Sequence, residues 1–366
     1  MSKIVSIATG IPEFQHRQEV MCDFAQKVYC NDDAERRKLK FLYRHSGIEN
    51  RYSVVPDYSV ALHERTFFPP TDDLEPFPCI EKRMSIFNEH AAGLSAKTIE
   101  ECIANKISKD DITHLITVSC TGMSAPGIDL QVMELLDLPQ NIIRTSVNFM
   151  GCYAAVHGLK LADAFCNGKA KANVLIVCTE LCTLHFQKDI SADNMTSSLL
   201  FGDGCAAVLV QDDDSASKGI SLKSFFSDVS FKGKKDMAWQ LSSKGFLMTL
   251  TGYIPDLIKE DFKKLVDKAL DASGNEIENV THWCIHPGGK KILESISASL
   301  EISDEPLKYS YQVLNDYGNM SSPTILFVLK KILDEFQHKS PSTPPLIFGA
   351  AFGPGLTMET FTATYD

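Results

Sequence analysis

The sequence of 366 residues lacks several features that mark well-known classes of protein. It contains 11 cysteines, but none forms a Cys-x-x-Cys pair, which argues against a zinc ribbon or a thioredoxin-like motif. It has no apolar run of membrane-spanning length and no signal-peptide layout at its start. Positive charge is scarce, because 36 Lys and Arg stand against 47 Asp and Glu for a net charge of −11. These absences disfavour nucleic acid and anionic membranes as partners, and they predict a cytoplasmic protein with reduced thiols.

What the sequence does contain is a regular alternation of strand-like and helix-like segments. With 44% hydrophobic residues the chain can bury a large core, and the alternation predicts an α/β fold. A stretch of charged and small residues at 211–217 interrupts the pattern. We therefore place a boundary there, between a first half over residues 1–212 and a second half over 213–366. Both halves contain the same alternation of strand-like and helix-like segments. We therefore expect an internal duplication, although no residue-level repeat is visible.

Individual elements follow from hydrophobic periodicity and from the positions of Gly and Pro. Apolar, β-branched runs predict strands at 3–9, 113–120, 173–178, 205–210, 281–286 and 346–352. Helical periodicity predicts helices within 20–45, at 88–104, from about 127, at 290–300 and at 322–336.

Cys152 is the leading candidate for a nucleophile. It lies in the run FMGCYAA at 149–155, between a strand-like and a helix-like segment. A thiol at the first turn of a helix lies near the positive end of the helix dipole, which favours the thiolate. The small Gly151 before it should leave a path to the sulfur. The pattern indicates a presented nucleophile rather than a structural cysteine.

A thiolate nucleophile needs a proton acceptor, and His286 is the best placed of the 10 histidines. In the run IHPGG at 285–289, the Pro and Gly residues end a strand and leave His286 at an edge where open α/β sheets bind ligands. His114 lies in an apolar run, which is typical of a core histidine, and His157 should point away from Cys152 on its helix. His282 and His286 are four residues apart but lack a third ligand, so we expect no metal site.

Asn319 is the third candidate, in the run DYGNMSSPT at 316–324. The local sequence fits a turn or N-cap residue about as well as an amide that donates into a cleft. Papain-type hydrolases also have a cysteine, a histidine and an asparagine in this order. The spacing of Cys152, His286 and Asn319 does not exclude such a hydrolase. The hydrolase signature around the cysteine is absent, however, and Cys152 lies in mid-chain. A non-enzymatic interaction protein would not need the three motifs intact.

Taken together, the motifs resemble type III polyketide synthases, the chalcone synthase-like family, over nearly the whole chain. The matching runs are SCTG at 119–122, MGC at 150–152, LFGDG at 200–204, HPGG at 286–289, YGNMSS at 317–322 and FGPGLTMET at 352–360. The resemblance implies a thiolase fold, with two duplicated βαβαβαββ halves in a five-layer αβαβα arrangement. It also implies a homodimer and no metal or cofactor beyond the CoA of the substrates. Ketoacyl-ACP synthases and hydroxymethylglutaryl-CoA synthases share the fold but match these motifs less well.

The resemblance further implies a reaction and a role for each motif residue. Malonyl-CoA would be condensed repeatedly, with loss of CO₂, onto an acyl-CoA starter, and the product would cyclise to a pyrone or resorcinol type. Cys152 would be the nucleophile, while His286 and Asn319 would act on the malonyl thioester. At the family's CoA entrance Lys38 matches one basic residue. The other two positions fall on Phe41 and His45, so we expect Lys40 and Arg44 to substitute for them.

The remaining implied site residues form the reaction cavity. Phe201 resembles the aromatic gatekeeper between the CoA tunnel and this cavity, and Ser321 matches the family. Chalcone synthases have other residues at five further positions, which are Cys120, Ala125, Cys182, His185 and Met248 here. Among them Ala125 and Cys182 favour bacterial relatives that accept long aliphatic starters over plant chalcone synthases.

Overall fold

The computed structural model describes residues 2–168, 171–212, 218–339, 341 and 343–366. The strands are Ser2–Gly10 (β1), Phe14–Arg17 (β2), Asn50–Ser53 (β3), His114–Ser119 (β4), Ile143–Asn148 (β5), Asn173–Leu181 (β6), Asp203–Asp212 (β7), Ile220–Val229 (β8), Met237–Ser242 (β9), Gly245–Leu250 (β10), Val280–Ile285 (β11), Leu346–Gly353 (β12) and Thr357–Tyr365 (β13). The helices are Gln18–Tyr29 (α1), Asp33–Arg44 (α2), Ile80–Ile103 (α3), Ile128–Leu136 (α4), Ala154–Gly168 (α5), Ala192–Leu200 (α6), Ile254–Ser273 (α7), Lys290–Leu300 (α8), Lys308–Tyr317 (α9) and Thr324–His338 (α10). The predicted boundary between the halves falls at 212/213, and residues 213–217 lie outside the described part of the chain.

Nine strands form one mixed sheet in the order β11-β12-β13-β8-β1-β7-β6-β4-β5. In the first half β4 runs parallel to β6, while β7 is antiparallel to both β6 and β1. The second half repeats this arrangement, because β11 runs parallel to β12 and β13 is antiparallel to both β12 and β8. The order β1-β7-β6-β4 thus has its counterpart in β8-β13-β12-β11, which confirms the expected duplication. The two halves join where β1 pairs with β8, from Ser2↔Leu222 to Ile4↔Ile220.

Three helical layers enclose the two halves of this sheet. Helices α3 and α4 pack on the outer face of the first half, for example through Ile99 and Val132 against Leu115. Helices α5 and α10 lie between the halves and share one core with both, and α7 and α8 cover the outer face of the second half. The result is the five-layer αβαβα arrangement. Since both faces of the sheet are covered, strands such as β4 are buried along their whole length, which explains their continuous apolar runs.

Most predicted strands and helices are present, with shifted ends. The helical stretch 20–45 is divided into α1 and α2, and the side chain of Asp32 accepts a hydrogen bond from Glu35 N–H at the start of α2. Helix α3 begins at Ile80 rather than near residue 88. Strand β5 and the hairpin β9–β10 were not predicted, since β5 is a mostly exposed edge strand with little apolar signal. None of the helices in the described part of the chain is long and apolar enough to cross a membrane.

Candidate active site

A cavity of about 370 Å³ contains all three motif residues, Cys152, His286 and Asn319, in its lining. They come from three different places in the fold. Cys152 lies in the turn just before α5, His286 directly follows β11, and Asn319 lies between α9 and α10. The volume is within the range of about 300–1,000 Å³ that is usual for small-molecule sites. The duplicated fold therefore brings together side chains that are far apart in sequence.

The backbone around Cys152 is fixed by its neighbours. Gly151 has φ of +82°, and a Cβ added there would lie 2.2 Å from Cδ of Pro354. Gly151 N–H donates to Sγ of Cys120 at 2.9 Å. The glycine is thus required by its left-handed backbone and by the approach of Pro354. Gly151 also lines the cavity beside Cys152, so the backbone requirement adds a second reason for a glycine to the one that the sequence indicated.

The expectation that the helix terminus favours the Cys152 thiolate is not met by the environment of the sulfur. Desolvation in the cavity raises the pKa of Cys152 to about 11, and the charge of Glu180 acts in the same direction. Hydrogen bonds with Ser321 and Asn319 lower the pKa by less, and the Cys152 thiol lies 3.6 Å from Oγ of Ser321. Burial raises the pKa of Cys152 by more than the helix terminus lowers it. Another group must therefore take the proton from the thiol.

His286 is suited to that task. Its backbone N–H donates to the carbonyl of Ala350 at 2.9 Å, which continues the pairing of β11 with β12. Its side chain is 1% exposed, and neither Nδ1 nor Nε2 has a hydrogen-bond partner among the described residues. Burial lowers its pKa to about 3, so the ring is neutral. Because buried polar groups nearly always have partners, a neutral imidazole with both nitrogens free is prepared for a ligand or for a proton from a neighbouring thiol.

Asn319 combines the two roles that the local sequence left open. Its backbone forms a bridge with Phe201, which fixes it as a turn residue beside the segment that follows α6. Its Oδ1 accepts from Ser321 N–H at 2.8 Å, while Nδ2 donates to the carbonyl of Gly288 in a long bond of 3.3 Å. The side chain is 2% exposed and also lines the cavity. The amide is therefore held beside the His286 loop and keeps hydrogen-bonding capacity towards the cavity.

Six of the seven predicted pocket residues line this cavity, namely Cys120, Cys182, His185, Phe201, Met248 and Ser321. Ala125 is not among the lining residues of this cavity in the described chain, and its role stays a prediction. The chain leaves the cavity after Thr121, and residues 123–126 are exposed. Ala125 therefore gives no information on the shape of the cavity within this chain.

An aromatic wall from the β9–β10 hairpin was missed by sequence reasoning. The ring of His185 stacks on Phe246 at 4.4 Å, and its Nε2 bonds to the carbonyl of Thr121 at 2.7 Å. Trp239 donates from Nε1 to the carbonyl of Cys120 at 2.7 Å. Burial lowers the pKa of His185 to about 3, so this ring is also neutral. A tryptophan in a chain with only two was the one available signal.

The three predicted CoA-binding residues all lie on α2. Lys38, Lys40 and Arg44 are exposed on α2, and none of them lines the cavity. The positive charges of Lys40 and Arg44 act on the thiol of Cys22 in α1, whose pKa they lower. Their role in binding CoA stays a prediction.

Other residues form the outer end of the cavity. From α2 these are Phe41, Leu42 and His45, and from the start of α8 they are Lys290 and Lys291. Neither lysine was predicted as a site residue, since the run HPGG was interpreted as the end of a strand and residues 290–300 only as a helix. Within the described residues no group of three or more His, Cys, Asp or Glu side chains could hold a metal ion.

Comparison with known proteins identifies the family that this geometry belongs to. Residues 1–214 match the family described as "Chalcone and stilbene synthases, N-terminal domain", and residues 222–364 match the corresponding C-terminal domain. The chain is 29% identical over 368 residues to "Type III polyketide synthase C" of Arabidopsis thaliana, which covers 98% of this chain and 94% of the relative. It is 30% identical over 363 residues to "Alpha-pyrone synthesis polyketide synthase-like Pks18" of Mycobacterium tuberculosis, covering 97% and 89%.

A solved structure agrees with these matches. The structure described as PKS-I from the brown alga Ectocarpus siliculosus superposes with a TM-score of 0.93 at 26% identity, covering 100% of this chain and 98% of that one. The superposition extends over both duplicated halves and therefore includes the whole cavity. The five-layer arrangement is thus the thiolase fold of these enzymes.

Proposed function

The chain belongs to the chalcone and stilbene synthase family, and from this premise we propose how its cavity performs the family's reaction. It is a type III polyketide synthase, an acyltransferase that condenses malonyl-CoA repeatedly onto an acyl-CoA starter. Its substrates are CoA thioesters. The observation that supports the residue roles is the meeting of Cys152, His286 and Asn319 in one cavity.

The first step loads the starter onto Cys152. The Cys152 proton passes to the free nitrogen of His286, and the sulfur attacks the thioester carbonyl of the starter. The bond from that carbonyl to the CoA sulfur then breaks, and the leaving thiolate takes the proton back from His286. Burial disfavours a thiolate or an imidazolium alone, but together they form a pair with no net charge. The step therefore needs no base from solvent.

The second step removes CO₂ from malonyl-CoA. The malonyl thioester oxygen accepts hydrogen bonds from the N–H groups of His286 and Asn319, and loss of CO₂ places an enolate charge on that oxygen. One such donor is commonly worth about 3 kcal/mol when it is fixed in a dry site. A neutral amide is sufficient because no proton has to be transferred, and Asn319 is held in place by its bonds with Ser321 and Gly288.

The third step forms the carbon–carbon bond. The enolate carbon attacks the acyl carbonyl on Cys152, the thioester bond to Cys152 breaks, and a β-ketoacyl-CoA two carbons longer results. That product reloads Cys152 and the cycle repeats. Phe201, whose backbone is tied to Asn319, lies beside the catalytic residues and guides the growing chain.

We assign the starter to aliphatic acyl-CoAs and the product to pyrone or resorcinol types. The lining is mostly apolar, with Met237, Leu250, Ile254 and Ile258 beside the small Cys182. The Mycobacterium tuberculosis relative is named for alpha-pyrone synthesis. The apolar lining supports an aliphatic chain independently of the prediction made from Ala125.

We also assign a homodimer through the free edge of β5. This strand ends the nine-stranded sheet, and Ile143 is 49% exposed on it. The adjacent α4 exposes Leu130 and Leu135. An unpaired edge with exposed apolar side chains is suited to pairing with a second copy. Light scattering should give twice the chain mass for the wild type and a lower mass for Ile143→Lys.

The decisive experiment for the function is incubation with malonyl-CoA and a panel of aromatic, short aliphatic and long aliphatic acyl-CoAs. Mass spectrometry should detect products longer than each accepted starter by two-carbon units. Turnover of aromatic starters alone would contradict the assigned starter class. No extended product with any starter would contradict the proposed chemistry itself.

A further inference from the structure

The described part of the chain contains few buried polar side-chain atoms that lack a hydrogen-bond partner. Some belong to arginine side chains whose other nitrogens are bonded, namely Arg51, Arg65 and Arg83. The others are the two ring nitrogens of His286 and the hydroxyl oxygen of Ser197. Both of these side chains line the cavity. Since a buried polar group without a partner destabilises the folded chain, such a group in a cavity indicates a ligand that completes its bonds.

Ser197 lies on α6, within one helical turn of residues that contact the catalytic loops. Phe201 N–H donates to the carbonyl of Ser197 at 3.1 Å. The carbonyl of Leu200 accepts from Asn319 N–H at 2.9 Å, and a Cβ added to Gly289 would lie 3.2 Å from Cδ2 of Leu200. Residues three apart share a face of a helix, so Ser197 lies on the same face of α6 as Leu200. The unpartnered hydroxyl is therefore near the residues that carry out the proposed condensation.

The other polar side chains of α6 that line the cavity already have partners within the chain. The hydroxyls of Thr196 and Ser198 donate to carbonyls of the preceding turn, each at 2.8 Å. The amide of Asn194 donates to the carbonyl of Asp189 at 3.1 Å. Serine and threonine in helices commonly bond to the preceding turn in this way. Among these four polar residues of the described helix, Ser197 is the one whose side chain remains available to a ligand.

The growing polyketide chain has a chemical group that suits this hydroxyl. An aliphatic starter carries no polar atom beyond its thioester, but each condensation leaves one more keto oxygen on the chain. A serine hydroxyl can donate to a keto oxygen, and it can also accept from the enol form. Met237, Leu250 and Ile254, by contrast, line the cavity with apolar side chains and offer such an oxygen no hydrogen bond. The free hydroxyl on α6 is thus matched to the extended chain rather than to the starter.

We propose that Ser197 binds the growing polyketide, its hydroxyl donating to a keto oxygen, and that it thereby helps to set the number of condensations. This inference rests on the proposed function, because it concerns the later cycles of the same reaction. A keto oxygen held by Ser197 keeps the extended chain in the cavity for the next malonyl unit, whereas an unbound chain is released or cyclises early. Loading and the first decarboxylation do not involve Ser197, because no keto group is present at those steps.

The test compares Ser197→Ala with the wild type on the aliphatic acyl-CoA that the wild type extends fastest. Mass spectrometry gives the ratio of the longest wild-type product to products with fewer condensations. We expect Ser197→Ala to lower this ratio about threefold to tenfold, the effect of one neutral hydrogen bond, with starter loading and CO₂ release from malonyl-CoA within about twofold. Thr196→Val is the matched control. It removes a cavity-lining hydroxyl that already has a partner, and it should keep the wild-type ratio.

A second measurement separates this role from a structural one. Because the hydroxyl has no partner in the folded chain, Ser197→Ala should unfold in urea at a midpoint equal to or above that of the wild type, measured without substrate. An unchanged product ratio in Ser197→Ala would overturn the assignment, as would a lower midpoint with equal losses in loading and extension. If the wild type makes no extended product from any starter, the proposed function itself fails, and the assignment of Ser197 fails with it.

Discussion

The inner and outer ends of this cavity differ in what determines the positions of their side chains. At the inner end Cys152, His286 and Asn319 are placed by the ends of strands and helices, within backbone that permits little change. At the outer end Phe41 and Lys291 are exposed side chains on helix surfaces. In the proposed function the chemistry at the inner end depends on buried geometry, while the outer end presents exposed side chains. The following predictions test this contrast, from the largest expected effect to the smallest.

Loss of the nucleophile should have the largest effect. Cys152→Ala should lower polyketide formation at least about a thousandfold, because no other group can hold the acyl chain in the proposed mechanism. Mass spectrometry of products and of the acylated protein measures both turnover and loading. Cys79→Ala, which removes an exposed thiol outside the cavity, should retain full activity. Substantial condensation by Cys152→Ala would show that the inner end is not where the chain is held.

Removal of Asn319 should affect one step only. Asn319→Ala should slow decarboxylation of malonyl-CoA about a hundredfold, since one preorganised donor is lost at the enolate oxygen. Acylation of Cys152 by a starter should remain within a few-fold of wild type, because the hydrogen bond from Asn319 lowers the pKa of Cys152 by less than burial raises it, and His286 still accepts the proton. Asn167→Ala, on the surface of α5, is the matched control. Equal loss of loading and decarboxylation would instead indicate that Asn319 supports the whole cavity.

The proton transfer between Cys152 and His286 can be followed without substrate. Desolvation raises the pKa of Cys152 to about 11, so the isolated thiol would be almost fully protonated at neutral pH. If His286 accepts the proton, iodoacetamide should alkylate the wild type near neutral pH. In His286→Ala the pH midpoint should move upwards, toward about 11, as thiolate then forms only at high pH. Peptide mass spectrometry at Cys152 gives the rates, and identical midpoints would exclude this pairing.

The sequence predicted the fold class from local signals and family motifs, and the same motifs made Cys152, His286 and Asn319 the candidate catalytic residues. The Pro and Gly after His286 end a strand wherever it lies, and the apolar run of β4 is buried in any layered sheet. The outer end depends on which face of α2 is turned toward the cavity. That is decided by the burial of Leu39 and Tyr43 against neighbouring helices, which the sequence of α2 alone does not reveal. The contribution of β9–β10 could not be predicted for the same reason, since it depends on long-range packing.

A smaller effect is expected on stability at acid pH. Burial lowers the pKa of His185 to about 3 from its ordinary 6.5, so below pH 6.5 the unfolded chain binds a proton that the folded chain does not. This stabilising contribution is complete above pH 6.5 and is lost as the pH falls toward 3. At pH 5 the loss is roughly 2 kcal/mol in the free energy of unfolding. Urea unfolding at pH 7 and pH 5 should show a smaller difference for His185→Gln than for wild type. His63→Gln, at an exposed position, should match wild type.

The smallest effect should come from the residues that the sequence placed at the CoA entrance. The double variant Lys40→Ala/Arg44→Ala should change KM for malonyl-CoA by less than about twofold, because exposed charges off the path of the substrate are screened by water and salt. Their charges lower the pKa of the Cys22 thiol, so a consequence of their removal should appear in the titration of Cys22 rather than in substrate binding. Steady-state kinetics at low and at physiological salt measure this directly. A rise of KM that disappears with added salt would show that α2 binds the phosphates after all. In that case the family resemblance would have identified the functional residues at both ends of the cavity.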